Sequence, residues 1–148
     1  MDSANPDLSI LIVGYNSASF LEECIGSIDA ASTRHSYEIL FVNNGTDESE
    51  EFVRDRFPEV RVLASRGNVG FAAGNNYLAE NARGSWILLL NPDTRLHPRS
   101  LDILLDAAAS HPEYQVFGGA TLGADGKVNH ATAGIVLPSL GRAVNNLL

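Results

Sequence analysis

Asn91-Pro92-Asp93-Thr94 follows directly on Trp86-Ile87-Leu88-Leu89-Leu90, the greasiest stretch of the chain. A carboxylate immediately after an apolar run fits a buried strand whose tip opens on solvent. Asp93 is then an exposed oxygen ligand of the kind Mg²⁺ and Mn²⁺ take, one or two carboxylates at a time, with phosphates and water completing the shell. Three other segments share this pattern of an apolar run ending in small polar residues. They are Gly14-Tyr15-Asn16-Ser17, Asn43-Asn44-Gly45-Thr46 and Ser65-Arg66-Gly67-Asn68-Val69-Gly70. Glycines there let a backbone approach a phosphate closely. Any one such loop is ordinary turn chemistry; four of them demand a frame that gathers them.

The alternation of elements supplies that frame. Leu8 to Val13 reads as a strand, and Leu21, Cys24, Ile25 and Ile28 follow at helical spacing, with Ser19 and Glu22 placed as a capping box. Tyr37 to Val42 is a second strand, and the segment from Thr46 to Phe57 a helix with acids in its first turn, where the macrodipole favours them. Val60 to Ala64 is a short third strand, and Phe71, Gly74, Leu78 and Ala82 mark one face of the next helix. After the strand at Trp86, Pro98 suits the first turn of a helix that buries Leu101, Leu104, Leu105 and Ala108. Tyr114 to Gly119 is a fifth strand, and Asp125-Gly126 a hairpin turn. Strand and helix alternate in this way only around a mostly parallel sheet covered on both faces, a three-layer α/β/α architecture. In such a sheet ligands sit outside the carboxyl ends of the strands, where all four polar loops emerge.

Composition bounds the rest. The 148 residues form one domain, 45% hydrophobic and 19% charged, with no apolar run near the ~20 residues of a membrane span. Ten Lys+Arg stand against 18 Asp+Glu, a net charge of −8, and no basic patch of the kind nucleic acid requires is visible. A single cysteine, Cys24, excludes an internal disulfide, and with a polar N-terminus predicts a cytoplasmic protein. His35, His97 and His111 lack metal-ligand spacing and read as surface residues, Asp102 and Asp106 as a solvated helix face, and Arg66 as a loop residue within reach of the ligand edge. The glycine fingerprint of dinucleotide folds is absent after the first strand, as is the P-loop, and a nucleotidyltransferase would want a basic glycine-rich loop there.

Taken together, "LSILIVGYNSASFLEECIGSI", "EILFVNNGTDES", "NVGFAAGNN" and "WILLLNPDT" resemble, in order and spacing, the family 2 glycosyltransferases, most closely their rhamnosyltransferase-like branch, over roughly residues 8 to 125. The resemblance implies a nucleotide-diphospho-sugar transferase fold and inverting transfer of a sugar, rhamnose in that branch, to a saccharide or lipid-linked acceptor. It implies that Asp93 holds Mg²⁺ or Mn²⁺ against the donor diphosphate, with Asn91 in the first position of that Asp-x-Asp motif. Tyr15 and Asn16 would line the nucleotide pocket, and Asn43 and Asn44 the base of a UDP- or dTDP-linked donor. Asn68, Gly70 and Asn75 would follow the ribose and diphosphate. Asn43 departs from the family's usual acid, Gly14 from a usual Thr or Ser. The general base would lie beyond Leu148, making residues 1–148 the donor-binding portion of a longer transferase, peripheral at the membrane when complete and able to pair with a second copy through an open sheet edge. The alternative is a non-catalytic nucleotide-sugar-binding module on the same fold.

Overall fold

In the computed structural model, residues 5–32, 34–123, 127–129 and 135–138 are described. The elements run β1 Leu8–Gly14, α1 Ala18–Gly26, α2 Ile28–Ala31, β2 Tyr37–Asn43, α3 Ser49–Arg56, β3 Arg61–Val62, α4 Phe71–Glu80 and β4 Trp86–Leu89. They continue with α5 Ser100–Ser110, β5 Phe117–Gly118, β6 Thr121–Leu122, β7 Val128–Asn129 and β8 Ile135–Pro138. The main sheet has the order β3-β2-β1-β4-β8-β5. β1 pairs in parallel with β2 and β4, and β2 with β3. β8 lies antiparallel between β4 and β5. β6 and β7 form a separate ribbon whose closing turn, Asp125-Gly126, lies outside the described residues.

The alternation of β1 explains the layers. Leu8, Ile10 and Ile12 point into a core shared with Leu21, Cys24 and Ile28 of α1 and α2, Val53 of α3 and Leu101 of α5. Leu11 and Val13 point to the other face, against Leu78 of α4. The strand order reverses at β1, because β2 and β3 lie on one side of it and β4 on the other. That reversal opens a crevice between the carboxyl ends of β1 and β4, the usual ligand position in an open α/β sheet. No helix among the described residues is long and apolar enough to cross a membrane.

Several expectations change on contact with the structure. The capping box does not form. α1 begins at Ala18, one residue before Ser19, and Glu22 turns outward to pair with Arg56 at 2.9 Å. Phe71 opens α4 yet stays 54% exposed, since the buried stripe of that helix is Gly74, Asn75 and Leu78. Pro98 lies ahead of α5, whose first residue is Ser100. The third and fifth strands contract to two residues each. Asp102 is fully buried rather than solvated: the loop before β2 covers it, and Arg34 donates its backbone N–H to Oδ1 at 3.2 Å. His35 lies half-buried between Asp7 at 3.9 Å and Asp106 at 3.5 Å. Trp86, by contrast, opens β4 as expected and packs edge-on against Phe117, with centroids 5.9 Å apart.

Candidate donor-binding site

The register of β1 with β2 sets Gly14 beside Asn43, so the two strands end level. Asn44 then donates its backbone N–H to the carbonyl of Gly14 at 2.7 Å. The two exit loops touch so closely that a Cβ on Gly45 would meet the Asn16 backbone nitrogen at 2.7 Å. Asn16 itself adopts φ +49°, a left-handed turn that Asn tolerates. Tyr15, 59% exposed, stands at the rim. Glycine at position 14 has a steric cause. A Cβ there would lie 2.8 Å from the Phe41 ring and from Ser17 Oγ, so the hydroxyl-bearing residue usual at this point would displace the core.

Asn43 is buried, and its amide is largely committed. Nδ2 donates to both the backbone oxygen and Oδ1 of Asp47 at 3.2 Å, and Oδ1 accepts the Gly45 N–H at 2.8 Å. An amide oxygen has two lone pairs, and among the described residues only the Gly45 N–H uses one of those on Asn43. Asp47 is the residue that inspection of the sequence passes over, because an acid there reads as part of the following helix. It lies two residues ahead of α3 and ties three segments together. Oδ2 accepts the Ala18 N–H (3.2 Å) and the Ser49 hydroxyl (2.7 Å), and Oδ1 accepts from Asn43. Burial pushes its carboxyl up, but the hydrogen bonds from Ser49, Ala18 and Asn43 outweigh this and hold it below the ordinary value. The spacing Asn43-x-x-x-Asp47-x-Ser49 was the available signal.

Asn44 is buried and donates Nδ2 to the carbonyl of Gly70 at 3.0 Å, which docks the start of α4 onto the tip of β2. Gly70 has φ +83° and ψ 167°, a conformation essentially reserved for glycine, and receives the Asn68 side-chain oxygen on its N–H at 3.1 Å. Asn68 is exposed beside it. Asn75 is 1% exposed, its Nδ2 donating back to the Phe71 carbonyl. Thus Asn68 faces the edge directly, whereas Asn44 and Asn75 lie beneath it. Ser17 Oγ, Asn44 Oδ1 and Asn75 Oδ1 are buried without a hydrogen-bond partner. The floor of the site is accordingly polar and rich in unused acceptors.

The β4 tip completes the edge. Leu90 extends the pairing by donating to the Leu11 carbonyl at 2.9 Å, and Thr94 N–H closes a turn on the Asn91 carbonyl at 3.1 Å. Proline suits the second position of that turn, Asp93 takes the third, and both Asn91 and Asp93 are exposed. Among the described residues Asp93 makes no ion pair, and no hydrogen bond joins it to Asn91. The loop is seated on α1. The buried Cys24 thiol donates to the Asn91 carbonyl at 3.6 Å, Leu96 N–H donates to Ser27 Oγ at 2.9 Å, and Arg95 pairs with Glu23 at 3.3 Å. Burial, reinforced by the charge of Asp93, pushes the thiol up to about 12. The donor set suits Mg²⁺ or Mn²⁺ held jointly with a diphosphate: one exposed, unshared carboxylate at position 93 beside a neutral amide oxygen at 91. Among the described residues no cluster of three or more His, Cys, Asp or Glu forms a closed cage.

Comparison with known proteins identifies the family and the fold. The family model for glycosyl transferase family 2 matches residues 9–137. An N-acetylglucosaminyl-diphospho-decaprenol L-rhamnosyltransferase of Mycobacterium tuberculosis is 30% identical over 132 residues, covering 82% of this chain and 43% of that protein. The chain therefore spans less than half the length of that relative. An uncharacterized glycosyltransferase, EpsJ, of Bacillus subtilis is 36% identical over 92 residues, covering 60% of this chain and 26% of its own length. Among solved structures, a mannosyltransferase of Pyrobaculum calidifontis in complex with GDP-Man and Mn²⁺ superposes with a TM-score of 0.68 at 20% identity, over 77% of this chain and 35% of that one. TarS 1-349 of S. aureus in complex with UDP-GlcNAc gives 0.59 at 21% identity, over 74% and 33%. The mostly parallel sheet with flanking helices is thus the nucleotide-sugar transferase fold, and the chain belongs to glycosyl transferase family 2.

Proposed function

We propose that residues 1–148 form the donor-binding portion of an inverting glycosyltransferase, one that takes a sugar from a nucleotide-diphosphate donor and passes it to a saccharide or lipid-linked acceptor hydroxyl. The observation that carries this reading is the free carboxylate of Asp93 at the β4 tip, across the β1/β4 crevice from the Tyr15–Asn43–Asn68 edge. The nucleoside half of the donor lies over the β1 and β2 tips. There Tyr15 offers an aromatic face and Asn43 its remaining acceptor lone pair. The diphosphate reaches toward β4, where Asp93, with Asn91 beside it, holds Mg²⁺ or Mn²⁺. When bound, the cation neutralises charge building on the departing diphosphate. The exposed Asn68 and the backbone at Gly70 border the ribose, while the buried Asn44 and Asn75 hold the α4 loop in position beneath it. Rhamnose, as the transferred sugar, rests on the Mycobacterium tuberculosis relative, whose name specifies it.

Calorimetric titration of UDP, dTDP and GDP, with and without Mn²⁺, on the chain and on Asp93→Ala, tests the proposal. Metal-dependent binding of one of them, lost in the variant, is the expected result. Equal binding by both proteins, or none by either, would remove the donor site from Asp93.

A further inference from the structure

Asn44 is the one asparagine of the chain that precedes a glycine. Asparagine is a thermolabile residue, and in an open chain this pairing makes it most so. The backbone nitrogen of the following residue can close on the asparagine Cγ, and glycine, with no side chain, hinders that approach least. The fold nevertheless uses both residues. Asn44 Nδ2 donates to the Gly70 carbonyl at 3.0 Å and ties α4 to the β2 tip. Gly45 runs so close to the loop between β1 and α1 that a Cβ on it would meet Asn16 Oδ1 at 2.8 Å.

The same contacts hold the reaction off. The nucleophile is engaged, because the Gly45 N–H donates to Asn43 Oδ1 at 2.8 Å, and Asn43 is in turn held by Asp47. The leaving group is engaged on Gly70. The Asn44 backbone N–H donates to the Gly14 carbonyl at 2.7 Å, which fixes the chain beside β1. Asn44 is 4% exposed, so solvent base and water are kept from its Cγ.

We infer that Asn44 is a latent self-modification site, closed by the fold and opened when the β2–α3 loop parts from β1 and α4. Once the Gly45 N–H is released, base removes its proton and the nitrogen attacks Asn44 Cγ. The N–Cγ bond forms, the Cγ–Nδ2 bond breaks, and Nδ2 leaves as ammonia after taking a proton from water. Water then adds to one carbonyl of the cyclic imide and reopens it to aspartate or isoaspartate, with no change of oxidation state. The change is one-way. An oxygen replaces the nitrogen opposite the Gly70 carbonyl and sets acceptor against acceptor, and the buried Asn44 Oδ1 already has no partner to offer in exchange. Isoaspartate also lengthens the backbone between Asn44 and Gly45. The start of α4 then no longer docks on the β2 tip. No ligand takes part, so the site stands whether or not Asp93 holds a metal.

The test follows the peptide containing Asn44 by mass spectrometry while the chain is kept in warm, mildly alkaline buffer, folded in one arm and in guanidinium chloride in the other. Conversion in the folded arm is expected to be slower by about tenfold or more, because the loop must first open. Asn43→Ala removes the acceptor of the Gly45 N–H and should convert faster than the parent while folded. Asn44→Asp, which stands for the product, should show faster hydrogen exchange in α4 than the parent. Equal rates in the two arms overturn the inference, as does a folded Asn43→Ala chain that converts no faster than the parent. Where Asn43→Ala does not fold, the two-arm comparison decides. Unchanged α4 exchange in Asn44→Asp overturns the loss of docking.

Discussion

Asp47 Oδ2 accepts the backbone N–H of Ala18, at 3.2 Å, across 29 residues of sequence. A carboxylate from the β2–α3 loop thereby satisfies a donor at the start of α1 that the local sequence leaves open, since Ser17 makes no side-chain cap. The same group fixes Asn43 and Ser49. The geometry of the β1 and β2 tips is therefore set by a carboxylate that lies behind them.

Asp47→Asn tests this directly. The amide cannot accept all of these hydrogen bonds, and one of its N–H groups would face another donor. A loss of about 1.5 kcal/mol in unfolding free energy is expected from urea denaturation, with a weaker nucleotide affinity and an unchanged metal requirement. An Asp47→Asn protein as stable as the parent would show that the carboxylate holds nothing together.

Two glycine substitutions should separate close packing from open space. A Cβ on Gly84 would lie 2.4 Å from the Ser9 backbone nitrogen and 2.6 Å from the Leu8 carbonyl carbon, inside the central strand. Gly84→Ala should cost about 2 kcal/mol or more. Gly26, the last residue of α1, has nothing within 4 Å of such a Cβ. Gly26→Ala should be neutral or stabilise by up to about 1 kcal/mol. Thermal melts of the pair measure both, and a smaller loss at 84 than at 26 would contradict the packing described.

Acid sensitivity should trace to Glu38. Its carboxylate lies at the opposite end of the sheet, with Arg61 at 2.8 Å, Arg83 at 2.9 Å and the Ser9 hydroxyl at 2.8 Å. Burial raises its pKa, but the bonds from Ser9, Arg61 and Arg83 prevail and lower it from 4.5. A carboxyl depressed in the folded state contributes stability above its unfolded pKa and loses it as pH falls through the folded value. Stability should therefore decline below about pH 4.5, the unfolded value. Glu38→Gln should start lower at neutral pH and decline less steeply; identical pH profiles would rule Glu38 out as a source.

Cys24 should be chemically silent in the native protein. With the thiol pushed up to about 12 and the side chain buried, the thiolate fraction at pH 8 is negligible. A disulfide-exchange reagent at that pH should react only after denaturant is added. Rapid stoichiometric reaction of the folded chain would mean that the seat of the Asp93 loop on α1 is open.

The sequence by itself determined the layers and the ligand edge. Period-2 and period-3.6 hydrophobicity are local properties, and short, largely apolar runs such as Leu8 to Val13, alternating with helical patterns, read as strands covered on both faces. From that alternation the polar loops at Tyr15, Asn43, Asn68 and Asp93 had to emerge together. Element ends were less legible. The capping box at Ser19 and Glu22 failed because a distant carboxylate, Asp47, satisfied α1 and a distant cation, Arg56, took Glu22. Asp102 looked solvated on a helix wheel because nothing local announces that the loop at Arg34 will cover it. The insertion of β8 between β4 and β5 was likewise a matter of pairing across many residues. Tertiary structure alone decided which polar groups were spent on partners within the fold and which were not. Asn43 is tied to Asp47 and Arg66 is stacked on Tyr77, whereas Asp93 has no ion-pair partner among the described residues. Hydrogen-bond satisfaction depends on what the fold brings within about 3 Å, a distance that sequence separation does not encode.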